Sequence, residues 1–207
     1  MRGTKDYIIR ALHKHGFIKT IEDKPDGWIL KSGAWSPIYI NLRQLPSYPT
    51  LLYRIAKEIG LRIKEVDCDA IVGVPMTGIL IATVVGLIVN KPIGWMRQTN
   101  KKYGEHKLVE LSEEYKRVVV VDDVITTGAS KKEVIDVLTE DNRECIKIFV
   151  VVDRRLQKNS GINIPAEALF TLEEIVRVIE VSDETKEKLL SYINSDWKWP
   201  KGSERRV

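Results

Sequence analysis

The chain has little cysteine, no long apolar run and no excess of one charge. Two cysteines in 207 residues, Cys68 and Cys145, are too few for a disulfide framework or a zinc cluster. Free thiols in a reducing compartment are expected. The longest apolar run, 79–89, contains Thr83 and Gly86. It falls well short of the ~20 residues that cross a bilayer. The first residues lead into a mixed stretch without the apolar centre of a signal peptide. A cytoplasmic protein with no membrane partner is therefore expected. The 33 Lys+Arg are interspersed with 29 Asp+Glu, and a net charge of +4 gives no reason to expect nucleic acid. There is no internal repeat, no GxxxxGK[ST] loop and no GxGxxG after a strand. None of His13, His15 and His106 stands in a metal-ligand pattern.

What is present is an alternation. Residues 5–15 read as an opening helix, with Ile8, Ile9 and Leu12 at helical spacing and Gly16 as the stop. Residues 28–30 and 38–40 read as two short strands of a hairpin around a Ser-Gly-Ala turn. Pro49 opens a helix that Gly60 is expected to end. Strands follow at 70–74, 93–96, 118–121 and 146–152, with helices at 78–89 and 130–138. The first of these helices is expected to be buried on most sides. Ser130 with Glu133 fits a capping box, and so does Thr171 with Glu174 ahead of another helix. Residues 97–111 lack periodicity and read as a loop, and 183–193 as a last helix. Val- and Ile-rich strands without alternation are buried on both faces, which predicts an α/β fold with a mostly parallel sheet flanked by helices. Residues 1–193 are read as one domain and 194–207, with Trp197 and Trp199, as a polar basic tail.

In such sheets ligands bind beyond the carboxyl ends of the strands. There the segment VVVVDDVITTGAS, 118–130, delivers two adjacent acids, Asp122 and Asp123. A turn rich in hydroxyls and glycine then runs directly into a helix. The helix N-terminus and exposed turn N–H groups make an anion site, and two carboxylates beside it suit a vicinal diol. Phosphate next to diol describes a ribose 5-phosphate. A strand-to-helix turn whose acids merely cap the helix is the plainer alternative.

This segment resembles the phosphoribosyl-diphosphate (PRPP) loop of type I phosphoribosyltransferases. Three further stretches are similar to orotate phosphoribosyltransferases, including the domain found in UMP synthase: LKSGAWSPIYINLR (30–43), GWMRQTNKKYGEHKLVE (94–110) and VVDR (151–154). The resemblance covers about three-quarters of the chain. It implies a type I phosphoribosyltransferase fold with a small N-terminal hood over about 1–45, a core over about 46–193, and a flexible catalytic loop.

The resemblance also implies roles. PRPP would be held by Lys31, by Met76, Thr77 and Gly78 as the pyrophosphate loop, by Arg97, Gln98, Lys101 and Tyr103, and by Asp122, Asp123, Val124, Ile125, Thr126, Thr127, Gly128, Ala129 and Ser130. Lys101, Asp122 and Asp123 would be catalytic, with both acids on the ribose hydroxyls. Orotate would lie among Lys31, Tyr39, Ile40, Thr126 and Arg154. An arginine fork suits its carboxylate. As bare residues, Tyr39 and Ile40 also fit ordinary strand core, and the charges of 97–111 a solvated loop. Met76 stands where the family usually has tyrosine, Leu80 where proline is frequent, and Gln98 where many members have lysine. The implied reaction is attack of orotate N1 on the anomeric carbon of PRPP with loss of pyrophosphate. Mg2+ would come through the substrate, with no all-protein metal cage, and the implied assembly is a homodimer whose loop reaches the neighbouring subunit. Transfer to another base, or a PRPP-binding regulator of the same fold, are the alternatives.

Overall fold

The computed structural model describes residues 2–30, 33–97, 108–126, 129–155 and 163–194. The opening helix α1 (Arg2–Lys14) buries Ile8, Ile9 and Leu12 along one stripe. Its end is closed by Phe17 N–H donating to the Leu12 carbonyl at 2.9 Å. The chain then forms four short strands: β1 (Ile18–Thr20), β2 (Trp28–Ile29), β3 (Trp35–Ser36) and β4 (Ile38–Ile40). The predicted hairpin is re-paired. β2 pairs antiparallel with β3, whereas β4 pairs with β1, a strand that the sequence reading did not identify. Two-residue strands carry too little pattern to fix their partners. Packing under α1 does so instead, since Ile18, Ile38 and Ile40 share the core that holds Ile8 and Leu12.

Helix α2 (Pro49–Ile63) buries Leu52, Ile55, Ala56 and Ile59. It does not stop at Gly60. A Cβ there would meet Val89 Cγ1 at 2.9 Å, so the glycine lets α2 approach α3 (Thr77–Val89) closely. Helix α3 is apolar throughout but only one side is buried. Thr77, Gly78, Ile81, Ala82, Val85 and Gly86 face inward, while Leu80 and Leu87 are exposed at 43% and 73%.

The sheet comprises β5 (Ala70–Gly73), β6 (Ile93–Met96), β7 (Val109–Glu110), β8 (Arg117–Ile125), β9 (Glu144–Asp153) and β10 (Ala166–Thr171), in the order β10-β9-β8-β5-β6-β7. All pairings are parallel except β6 with β7. Val119 and Val121 face one core with Ile71 and Phe149, and Val118 and Val120 face the other with Val72 and Ile148. That is why these strands read as unbroken valine. Truncating a fully buried side chain such as that of Ile55 in α2 to alanine costs about 2–5 kcal/mol in a typical core.

β8 extends past the predicted 121, because Asp122, Val124 and Ile125 continue the pairing with β9. β7 lies inside what reads as loop, and β10 is a strand that the sequence reading did not find. Helix α4 (Ala129–Glu140) begins one residue before Ser130, so Ser130 is inside the helix rather than its cap. The capping box at Thr171 and Glu174 is present ahead of α5 (Leu172–Val178), and α6 (Asp183–Ile193) has the predicted bounds. No helix among the described residues is long and apolar enough to cross a membrane.

Candidate active site

Chain order reverses between β5 and β8. The sheet grows outward from β5 through β6 on one side and from β8 through β9 on the other. A crevice therefore opens at the carboxyl ends of β5 and β8, the place where α/β sheets hold ligands. The segment 74–78 leaves β5 there and turns into α3. Val74 N–H donates to the Val121 carbonyl at 3.1 Å. Met76 is 66% exposed, whereas Thr77 is buried at the first turn of α3. Gly78 permits the closest approach: a Cβ would lie 2.6 Å from the Val121 carbonyl oxygen and 2.9 Å from Asp122 Oδ1. The N-terminus of α3 is thus pressed against the acid pair of β8.

The two acids do not share one environment. Asp123 is half-buried, and its Oδ1 accepts from the Val124 N–H at 2.7 Å. Asp122 is only 5% exposed. Its Oδ1 accepts from the Asp123 N–H at 2.7 Å and its Oδ2 accepts from Lys131 Nζ. Burial pushes the Asp122 carboxyl up to about 7; Lys131 draws it down and the Asp123 charge pushes it further up. Both oxygens of Asp122, a residue expected beside Asp123 on a diol, are thus engaged within the protein. Lys131 was not anticipated. Its signal was a lysine on the apolar stripe Lys131, Val134, Ile135, Leu138, at the spacing of a buried helix face.

Beyond Asp123, Val124 is partly buried and Ile125 is buried in β8, while Thr126 is exposed at the strand end. Thr127 and Gly128 lie outside the described residues, as do Lys31, Gln98, Lys101 and Tyr103. Ala129 and Ser130 form the first turn of α4. Arg97 directly follows β6 and pairs with Glu110 across the antiparallel edge.

Arg154 follows β9, and its N–H donates to the Ile125 carbonyl at 2.8 Å, beside Thr126. Its side chain runs to the β2–β4 region, where Nη2 donates to Ser36 Oγ at 3.1 Å and to the Ile38 carbonyl at 3.2 Å. The residue is 8% exposed, Nε has no partner, and burial lowers its affinity for the proton. No carboxylate contacts it among the described residues. Its neighbour Arg155, by contrast, pairs with Asp153 at 2.6 Å. Tyr39 is on the half-exposed face of β4 and stacks on Trp28 at 5.6 Å and 16°. Ile40 points the other way, into the core under α1, so its side chain does not join Tyr39 on that face. Among the described residues no three acids, histidines or cysteines converge as a metal site.

The phosphoribosyl transferase domain model matches residues 50–185. The chain is 30% identical to orotate phosphoribosyltransferase of Sulfolobus acidocaldarius over 185 residues, covering 84% of this chain and 94% of that one. It is 33% identical to that of Methanocaldococcus jannaschii over 178 residues, covering 83% and 96%. The solved orotate phosphoribosyltransferase of Aeropyrum pernix superposes with a TM-score of 0.64 at 28% identity, over 82% of this chain and 96% of that one. With a matching domain model, near full-length relatives and a crevice built on the acid-bearing strand end, the chain belongs to the orotate phosphoribosyltransferases of the phosphoribosyl transferase family.

Proposed function

We propose that the protein transfers the ribose 5-phosphate group of PRPP to N1 of orotate in pyrimidine synthesis, giving orotidine 5′-monophosphate and pyrophosphate. The observation that carries this is Arg154: a buried guanidinium with an unpartnered Nε and no acidic partner among the described residues, at the strand end beside Thr126. A buried charge without a counter-ion is costly, and an anionic ligand offsets that cost. Orotate carries a carboxylate on a flat ring, and Tyr39 with Ser36 flank the space beside the guanidinium.

In this reading the turn after β8, from Thr126 through Ser130, takes the 5′-phosphate at the start of α4. Asp123 takes the ribose hydroxyls. The turn from Met76 to Gly78 takes the pyrophosphate at the start of α3. Lys101 and Arg97 neutralise the leaving group as its charge develops, with Arg97 exchanging Glu110 for phosphate oxygens. Gln98, Tyr103 and Lys31 complete the cationic and polar lining. The anomeric carbon becomes oxocarbenium-like, so the protein's task is to hold two anions together and exclude water. Mg2+ fits as a companion of the substrate: Asp123 offers a half-buried carboxylate, and a hard cation that keeps its waters suits pyrophosphate oxygens. Bound there, it would neutralise leaving-group charge.

A homodimer is part of this reading. The exposed stripe Met76, Leu80 and Leu87 runs along α3 from the pyrophosphate turn, a face suited to a second copy. Sedimentation as a lone 23.7 kDa species would remove that part. Two buried free cysteines suit a cytoplasmic setting.

The test is a spectrophotometric assay with PRPP, Mg2+ and orotate, with adenine, guanine, hypoxanthine and uracil in parallel. Consumption of orotate alone is expected. Turnover of a different base would keep the PRPP site and overturn the orotate site.

A further inference from the structure

Asp122 and Lys131 form an ion pair that no step above uses. The two side chains are 7% and 4% exposed. Lys131 lies in the first turn of α4 and, besides Asp122, donates to the Val124 carbonyl at 3.2 Å. On its other side Asp122 packs against Gly78, where a Cβ would meet Asp122 Oδ1 at 2.9 Å. The pair therefore lies between the start of α3 and the first turn of α4. Both Asp122 oxygens are engaged inside the protein. Asp123 has one oxygen on the Val124 N–H, and its second has no partner among the described residues.

We infer that Lys131 is a positioning residue: it keeps Asp122 withdrawn from the sugar, braces the first turn of α4 against the start of α3, and leaves Asp123 as the carboxylate that meets the ribose diol. This rests on the PRPP reading and separates two acids that the sequence presents as equivalent. A buried ion pair adds little net stability over an apolar pair of the same shape, but removing one partner strands the other charge. The brace acts through geometry. Without Lys131, the Asp122 carboxylate must either take a proton or swing toward solvent, into the space that Asp123 serves.

The experiment compares Lys131→Met, Asp122→Asn/Lys131→Met and Asp123→Asn with the unaltered protein, reading KM for PRPP, KM for orotate, and melting temperature. Lys131→Met should raise KM for PRPP about tenfold or more, the size of one charge-assisted hydrogen bond, with KM for orotate unchanged. The neutral double variant should recover to within about threefold and regain most of the melting temperature lost in Lys131→Met. Asp123→Asn should lose PRPP affinity with its melting temperature intact. An unchanged PRPP requirement in Lys131→Met would overturn the inference, and so would a double variant as impaired as Asp123→Asn, since Asp122 would then touch the sugar itself. Unaltered protein that consumes no orotate with PRPP overturns the functional reading instead. The melting temperatures then decide the brace separately: recovery in the double variant keeps the pair, and a further loss removes it.

Discussion

Lys131, Arg143 and Arg154 are 3%, 5% and 8% exposed, and they show how differently a buried cation can be used. Lys131 has a carboxylate. Arg143 has Asp141 at 2.6 Å together with the carbonyls of Leu111, Ser112 and Tyr115, so it fastens the loop before β8. Arg154 has a hydroxyl and a carbonyl only, among the described residues. The first two are satisfied within the fold; the third keeps an unpartnered Nε. Glycines divide in a similar way. At Gly78 a Cβ would strike the backbone of Val121 and Asp122, whereas at Gly60 it would strike the tip of Val89. Gly78→Ala should cost about 1–3 kcal/mol, the usual range for overpacking, and should also raise KM for PRPP. Gly60→Ala should change stability little and leave KM for PRPP unaltered, because alanine's better helix propensity offsets the displacement of a side-chain tip. Denaturant unfolding together with steady-state kinetics checks both, and a normal PRPP requirement in Gly78→Ala would detach the start of α3 from the substrate.

Among the elements, legibility followed the amount of pattern. β5, β8 and β9 announce themselves because strands buried on both faces read as continuous valine and isoleucine. The capping box at Thr171 was legible because it is a local exchange of two hydrogen bonds. β7 and the pairing of β1 with β4 were not, since those strands are only two or three residues long, and β10 was not, because its six residues, AEALFT, mix a charge and two alanines into a half-buried strand. The acids, the hydroxyl-rich turn and Arg154 were legible as types in a place. Their division of labour was not, because a string of letters does not show that Lys131 reaches back nine residues to Asp122. The start of β8 is held by a similar reach. Asp69, just ahead of β5, accepts from the N–H groups of Lys116 and Arg117 at 2.9 and 2.7 Å. These bonds hold its carboxyl below the ordinary 3.8. A lowered folded value means the native state binds fewer protons there than the unfolded chain does. The contribution is therefore present above 3.8 and is lost as pH falls through the lower folded value. The difference in melting temperature between unaltered protein and Asp69→Ala should be constant between about pH 5 and 8 and shrink below about pH 4. A gap that persists unchanged into acid would contradict the charge-assisted tie.

For the whole molecule, the N-terminal strands and the sheet are joined at the crevice itself. Arg154 reaches from β9 to Ser36 and Ile38, and Tyr192 of α6 donates its hydroxyl to the Trp35 carbonyl at 3.4 Å while its ring meets Trp35 edge-on. One hydrophobic core runs from α1 through these strands to one face of the sheet, which keeps that approach fixed. In the proposed function the sheet end takes the sugar phosphate, and the joint with the N-terminal strands takes the carboxylated ring. Arg154 is where the two halves meet. Its most direct test is kcat/KM for orotate relative to uracil, the same ring without the carboxylate, in the unaltered protein and in Arg154→Gln. The unaltered protein should prefer orotate strongly, and the preference should fall by about 10- to 150-fold in the variant, the worth of a hydrogen bond to a charged group, with KM for PRPP unchanged. A preference that survives Arg154→Gln, or a variant that loses PRPP and orotate alike, would contradict it.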